Sequence, residues 1–323
     1  MEFKNLGNTG VKVSPLCFGT MTFGWVADQK MSSAIFHRCL EAGINFFDCA
    51  DVYSRGAAET ILGKLMKQDR DDLVITSKCF GAMSSDVNSG GASRRHIQSA
   101  IDASLKRLGT DRIDILFMHR WDPVVPLEET LRALDKAVAD GKVLYLGASN
   151  YAAWQIAKGL GISARNGWPG FDVIQPMYSL VKRQAETEIL PLALAENLGV
   201  IPYSTVGGGL LSGKYDVHAR PDTGRIVSND EYSKRYSEKW VYETAGKFTR
   251  FAHDMDVHPV SLAVAWAAAH PAITCPIIGA RNLEQLEPSL NSVEIDMPPA
   301  LRAEISALSR TPALATDRLE EQL

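Results

Sequence analysis

Residues 112–149 read RIDILFMHRWDPVVPLEETLRALDKAVADGKVLYLGAS. Two short apolar runs rich in β-formers, RIDILFMH (112–119) and VLYLGAS (143–149), flank an amphipathic stretch at 127–140. Strand, helix and strand in this order imply two parallel strands joined by a helix that covers the sheet. The strands are apolar on both faces, as a parallel sheet buried on both sides demands.

The same unit recurs in both directions. Upstream, LCFGTM (16–21) precedes a helical pattern at 31–42, NFFDCA (45–50) precedes 57–68, and DLVITSK (72–78) precedes 94–108. Downstream, VLYLGAS leads into 151–161, and DVIQPMYS (172–179) into 185–197. GVIPYS (199–204) is followed by a long polar segment and helices near 231–253 and 259–269, and TCPIIG (274–279) by 282–291. Eight such units close into a (β/α)₈ TIM barrel. An open doubly wound sheet would carry fewer strands and a G-x-G-x-x-G after the first, a motif that this sequence lacks. Residues 1–15 read as a hairpin turning at Gly7–Gly10 and plugging the N-terminal end of the barrel. Residues 298–323 add a helix and a weakly patterned tail, so 1–323 reads as a single α/β domain.

Composition narrows the function. Hydrophobic residues make up 46% of the chain and charged residues 22%, with a net charge of −4 and scattered Lys and Arg, so nothing points to a nucleic-acid partner. No run is long enough for a membrane span and no signal-peptide core opens the chain. The five cysteines are odd in number and widely spaced, which suits reduced thiols in a cytoplasmic protein. The seven histidines show no H-x-x-x-H or H-E-x-x-H spacing, so no metal is expected.

Barrel chemistry gathers at the C-terminal ends of the strands. Those ends carry Asp48, Lys78 and His119, with Tyr53 in the loop just beyond Asp48. Singly, each has a structural explanation as a cap, a turn former or a rim residue. Together they can act on a carbonyl. A tyrosine of pKa near 10 is a poor acid at neutral pH. A lysine about 4 Å away favours its phenolate by roughly 4 kcal/mol at an effective dielectric near 20, before desolvation is subtracted. Asp48 would keep that lysine charged, and His119 would orient the carbonyl or assist proton transfer.

With these residues in place the chain resembles the aldo-keto reductases, from Phe3 to about Leu290. Their Asp–Tyr–Lys–His tetrad matches Asp48 and Tyr53 in NFFDCADVYS, Lys78 in VITSK and His119 in FMHRWD. The resemblance implies an NADPH-dependent reductase. It implies that Ser149, Asn150 and Gln175 hold the nicotinamide carboxamide, and that the ring stacks on Tyr203. It places Gly19, Thr20, Met21, Asp48, Ser204, Thr205, Gly207, Gly209, Leu210, Ser212 and Lys214 beside the cofactor, with the amides of about 205–210 meeting the pyrophosphate. After the last strand it assigns Ile278, Gly279, Ala280, Arg281, Gln285 and Ser289 to the adenosine end, Arg281 and Gln285 reaching the 2′-phosphate and ribose. Pro288-Ser289 stands where the family often has Glu-Asn, and YST (203–205) where it often has YSP.

Residues 208–214 also satisfy G-x-x-x-x-G-K, but Tyr215 follows where a phosphate loop needs Ser or Thr, and a polar loop follows where it needs a helix. Trp25, Phe80, Arg120 and Trp121 are candidates for the substrate mouth, which would admit a small carbonyl compound. Two other functions compete: a nicotinamide-sensing regulatory barrel of the channel-subunit kind, and a lyase or isomerase using Lys78 as a Schiff base.

Overall fold

The computed structural model describes residues 1–218, 220–318 and 320. The hairpin forms where the turn residues place it: β1 (Lys4–Asn5) pairs antiparallel with β2 (Lys12–Val13). Gly7 turns left-handed at φ 54° and lies so close beneath the barrel that a Cβ there would sit 2.3 Å from the Gly199 amide nitrogen. No side chain fits at that point.

Eight parallel strands follow in sequence order: β3 (Cys17–Gly19), β4 (Phe46–Asp48), β5 (Val74–Cys79), β6 (Ile113–Met118), β7 (Val143–Ser149), β8 (Val173–Gln175), β9 (Gly199–Val200) and β10 (Ile277–Ile278). β10 pairs with β3. Main-chain bonds from Thr274 N–H to the Val200 carbonyl (3.0 Å) and from Ile277 N–H to the Pro202 carbonyl (2.9 Å) join the last two strands and close the ring.

The helices are α1 (Gln29–Glu41), α2 (Ala57–Leu65), α3 (Arg94–Leu108), α4 (Leu127–Ala139), α5 (Ala153–Asn166), α6 (Ile189–Ala195), α7 (Arg225–Ser228), α8 (Asp230–Arg235), α9 (Lys239–Asp254), α10 (Pro259–Ala268), α11 (Leu283–Leu290) and α12 (Pro299–Ser306). Among the described residues no helix is long and apolar enough to cross a membrane.

Two expected helices are broken. The pattern at 185–197 yields an α-helix only from Ile189, because the ring of Pro191 clashes with a helical carbonyl four residues back. The pattern at 231–253 splits into α8 and α9. Between them Tyr236 leaves the helical path, becomes fully buried, and meets the Ser204 hydroxyl at 3.0 Å. Burial of one aromatic ring outweighs helix continuity here. The C-terminal helix is present as α12, fastened by Arg302 donating to the Tyr178 hydroxyl (2.7 Å) and Arg183 donating to the Ser306 carbonyl (3.1 Å). Residues 319 and 321–323 of the expected tail lie outside the described residues.

Side-chain parity places the site. Cys17, Phe46, Val74, Ile115, Phe117, Val173, Ile201 and Cys275 form one buried cluster with Leu6 and Val13 of the hairpin. This is the barrel interior, sealed from below by the plug. A strand alternates faces with period two. The next inward positions above that layer are therefore Asp48 after Phe46, Thr76 and Lys78 after Val74, His119 after Phe117, and Gln175 after Val173. Phe47 points outward into the separate layer beneath the helices.

Gly147 belongs to this arrangement, since a Cβ there would lie 2.3 Å from the ring of Phe117, which fills the barrel centre. Gly147→Ala should therefore cost about 1–3 kcal/mol of stability through overpacking. Urea denaturation followed by circular dichroism measures it, and an unchanged midpoint would show that Phe117 has room to turn aside.

Candidate active site

The deepest element is a buried ion pair. Lys78 Nζ donates to both carboxylate oxygens of Asp48 (2.7 and 2.6 Å), to the Cys49 carbonyl (2.7 Å) and to the Tyr53 hydroxyl (3.2 Å). Lys78 is fully buried and Asp48 almost so. Register makes the meeting inevitable: β4 pairs with β5 so that Asp48 lies opposite Thr76, one inward position below Lys78. Asp48 also accepts from the Thr76 hydroxyl and from Gln175 Nε2, each at 2.8 Å. The Thr20 hydroxyl donates to its main-chain carbonyl at 2.9 Å. Thr76 was missed in the sequence, although its position two residues before Lys78 is a signal for the same face.

Tyr53 comes from a tight turn rather than a strand. Ser54, Arg55 and Gly56 take successive left-handed conformations, with φ of 49°, 52° and 88°. The Ser54 hydroxyl ties the turn to the Phe23 carbonyl at 2.8 Å. Two non-glycine residues in this region carry strain that the surrounding contacts must hold.

One electrostatic expectation is reversed. Lys78 does pull on Tyr53, yet burial of the hydroxyl dominates, Asp48 adds to it, and the Tyr53 pKa is pushed up to about 12. Burial is the larger cause, and Asp48, closer to the ammonium (2.6 Å) than the phenol is (3.2 Å), offsets part of the Lys78 pull. Burial alone would lower Lys78, but Asp48 and Tyr53 hold it above its ordinary value and therefore charged. His119 is lowered to about 3 by burial first and then by Lys78 and Arg120, so its imidazole is neutral. Its ring lies edge-on to Tyr53, with centroids 6.1 Å apart.

The residues suggested for a dinucleotide adjoin this centre. The Ser149 hydroxyl donates to the Gln175 carbonyl (3.0 Å). Asn150, left-handed at φ 58°, donates to the His119 carbonyl (2.9 Å) and to Ser149 Oγ (3.1 Å), and accepts from the Tyr203 hydroxyl (2.7 Å). Gly19 pairs with Asp48 across the sheet, and Met21 lies in the short turn that follows β3. Ser204 is left-handed (φ 63°), and Thr205 donates to the Ile277 carbonyl (3.3 Å).

Gly207, Gly208 and Gly209 are all left-handed, at φ 62°, 66° and 103°, a path that glycine takes without strain. Tyr232 and Tyr236, unforeseen in the sequence, close over Gly208, where an added Cβ would lie 2.9 Å from Tyr232. Leu210 and Ser289 turn into the core, while Ser212 is half-buried and Lys214 stands exposed. Past β10, Gly279 comes near the Gly19 carbonyl, and Ala280 accepts from the Thr22 hydroxyl (2.8 Å). Arg281 and Gln285 are joined: with its amide oxygen turned to the guanidinium, Gln285 accepts from Arg281 Nε at 2.9 Å and from the adjacent terminal nitrogen at 3.2 Å. Side-chain amides, a glycine loop and an exposed arginine are a donor set that fits a dinucleotide.

At the mouth, Arg120 lies over the Phe80 ring (4.9 Å to the centroid), and Trp121 meets Trp154 edge-on at 5.6 Å. Trp25 and Trp154 are 58% and 59% exposed, unusual for tryptophan and therefore candidates for ligand contact. Trp154 went unnoticed because its place on α5 gives no sequence signal for facing the mouth.

The profile of the aldo/keto reductase family matches residues 15–310. The chain belongs to that family. This aldo/keto reductase is 36% identical to a protein of Arabidopsis thaliana named as a probable voltage-gated potassium channel subunit beta, over 91% of this chain and 92% of that one. It is 36% identical to an uncharacterised oxidoreductase of Bacillus subtilis, over 92% of each chain. It is 33% identical to versiconal hemiacetal acetate reductase of Aspergillus parasiticus, over 93% and 94% of the two chains. Family membership makes it an oxidoreductase of the nicotinamide-dependent, carbonyl-reducing kind.

The ion pair yields a stability prediction. Lys78→Met strips Asp48 of its cation in a buried site, and losing one partner of such a pair typically costs about 3–5 kcal/mol. A urea midpoint shifted by less than about 1 kcal/mol of stability would mean that Thr76 and Gln175 suffice to hold Asp48.

Proposed function

We propose that the protein reduces an aldehyde or ketone to the alcohol using NADPH, with Tyr53 as the proton donor. The observation that carries this reading is the single ammonium of Lys78 touching both Asp48 and the Tyr53 hydroxyl. The nicotinamide, when bound, supplies the hydride. Ser149, Asn150 and Gln175 would hold its carboxamide, Tyr203 its ring, the 205–210 loop its phosphates, and Arg281 with Gln285 its adenosine end.

The chain's own residues handle the proton. With a pKa of about 12, Tyr53 stays protonated at neutral pH. A carbonyl oxygen becoming an alkoxide is more basic still, so transfer from the phenol runs downhill. Lys78 then stabilises the phenolate left behind, and Asp48 fixes the ammonium where it can do so. Neutral His119 offers a hydrogen bond to the carbonyl oxygen without adding a charge that would repel Lys78. The aromatic mouth with Arg120 favours flat aromatic carbonyl compounds. A Schiff base needs a neutral amine, and Lys78 is held charged, which weighs against that use of it.

The likeness to the plant protein named as a channel subunit supports a second reading, a nicotinamide-sensing barrel with slow turnover. An aldehyde and ketone panel monitored by NADPH absorbance separates the two. Steady turnover of a simple carbonyl favours the enzyme. A single burst of nucleotide oxidation favours the sensor.

Tyr53→Phe should bind NADPH normally and turn over roughly 10²–10⁴-fold more slowly, the usual worth of general acid catalysis. A variant keeping more than half of the parent rate, with hydride transfer rate-limiting, removes Tyr53 from the mechanism. Arg281→Ala should lose about 2–3 kcal/mol of NADPH affinity and almost none for NADH, because only NADPH has a 2′-phosphate to grip. Fluorescence titration with both nucleotides measures this, and equal losses would withdraw the NADPH preference.

A further inference from the structure

Behind the tetrad, on the outward face of the same strands, lies a second buried charged cluster that the chemistry above does not use. Glu59 of α2 is fully buried and accepts from the Ser77 hydroxyl and from Arg107 Nε of α3, each at 2.6 Å. Asp51 is also fully buried, and among the described residues its carboxylate oxygens make no well-formed hydrogen bond, the Val52 N–H being the one donor that pulls on them. Its main-chain N–H donates to the Lys78 carbonyl (3.1 Å), and two residues later the chain reaches Tyr53. A buried carboxylate so poorly satisfied is costly, and its protonated form is favoured.

We propose that Asp51 is a positioning residue for Tyr53 that works as a neutral acid, and that its ionisation loosens the turn carrying the tyrosine. The proposal rests on the reading of Tyr53 as proton donor.

The groups facing Asp51 set the sign. Burial raises its pKa first and the Glu59 carboxylate raises it further, while the Val52 amide dipole, Arg107 and Lys78 pull the other way, leaving it at about 7. The remaining neighbours titrate far from there. Tyr53 lies at about 12 and His119 at about 3, Lys78 is raised, and burial pushes the Cys49 and Cys79 thiols well up. Asp51 thus changes charge near neutrality.

Contacts transmit the change. Once ionised, Asp51 would add a second negative charge near Glu59 and compete for Arg107, whose field already reaches it. Arg107 packs against Gly56, where an added Cβ would be 2.7 Å from its Cδ, so a shift of the guanidinium is felt at that turn. Gly56 ends the left-handed Ser54–Arg55 turn, whose strain favours release. The neutral form is thus the one that holds Tyr53 on Lys78. Because the native state holds the Asp51 proton more tightly than the unfolded chain does, this contribution to stability is complete below about pH 4 and is lost as pH rises to about 7.

The test compares Asp51→Asn, Glu59→Gln and Tyr53→Phe across pH 5.5–9, that range being ~1.5–2 units either side of neutrality. The parent's reduction of 4-nitrobenzaldehyde by NADPH should fall about tenfold per pH unit above the Asp51 midpoint. Asp51→Asn, the uncharged isostere, should lack this decline and exceed the parent about tenfold one unit above it. Glu59→Gln should move the decline to lower pH. A parental decline in Asp51→Asn overturns the proposal, whereas activity kept in Tyr53→Phe overturns the tyrosine assignment instead.

A measurement free of turnover uses carbon-13 labelled protein. The Asp51 carboxyl should titrate near neutrality, and the Tyr53 ring carbon bearing the hydroxyl should shift with the same midpoint in the parent but not in Asp51→Asn. An Asp51 midpoint below about 5, within the ordinary aspartate range, or a Tyr53 resonance that ignores it, overturns the inference even if a variant fails to fold.

Discussion

The Lys78–Asp48 pair is an ion pair taken wholly out of water, and such a pair persists only if every remaining donor and acceptor is satisfied. The barrel meets that demand from several strands at once. β8 sends Gln175, β5 sends Thr76, and the main chain after β4 offers the Cys49 carbonyl. Each is in place because strands pair in order and alternate faces. A slip of one residue in any register would turn a polar partner into the helical layer and leave a charge stranded. Folding and chemistry therefore impose the same constraint on the same strands.

That constraint also explains the silent residues below the site. Phe46, Val74, Phe117 and Val173 fill the interior so that the polar layer rests on a dry floor, and Leu6 and Val13 close it beneath. Lys78 itself is fully buried above that floor. Desolvation then governs the titration of the groups above, raising Tyr53 and lowering His119 by the same physical cause acting on opposite kinds of charge.

The sequence revealed much of this because parallel strands and their polar ends are written locally. NFFDCA, VITSK and FMH each show where a strand ends and what it ends in, so Asp48, Lys78 and His119 were legible together. Tyr236 was not, since burying it against Gly208 is a tertiary event that breaks a good helical pattern. Nor was the direction of the Tyr53 shift: the sequence supplies the charges, but only the fold supplies the burial that outweighs the pull of Lys78. Trp154, Asp51 and Glu59 were missed for a related reason. Their importance lies in which neighbours they lack or share across separate elements.

All five thiols, Cys17, Cys39, Cys49, Cys79 and Cys275, are free and buried. They lie on β3, α1, the end of β4, β5 and the approach to β10, so they sample one half of the ring together with its closing seam. An alkylating reagent can reach them only when that half opens, which makes the rate of thiol labelling an intrinsic clock for local unfolding around the tetrad. The opposite wall, from β6 to β9, carries no cysteine and would open unseen by the same reagent.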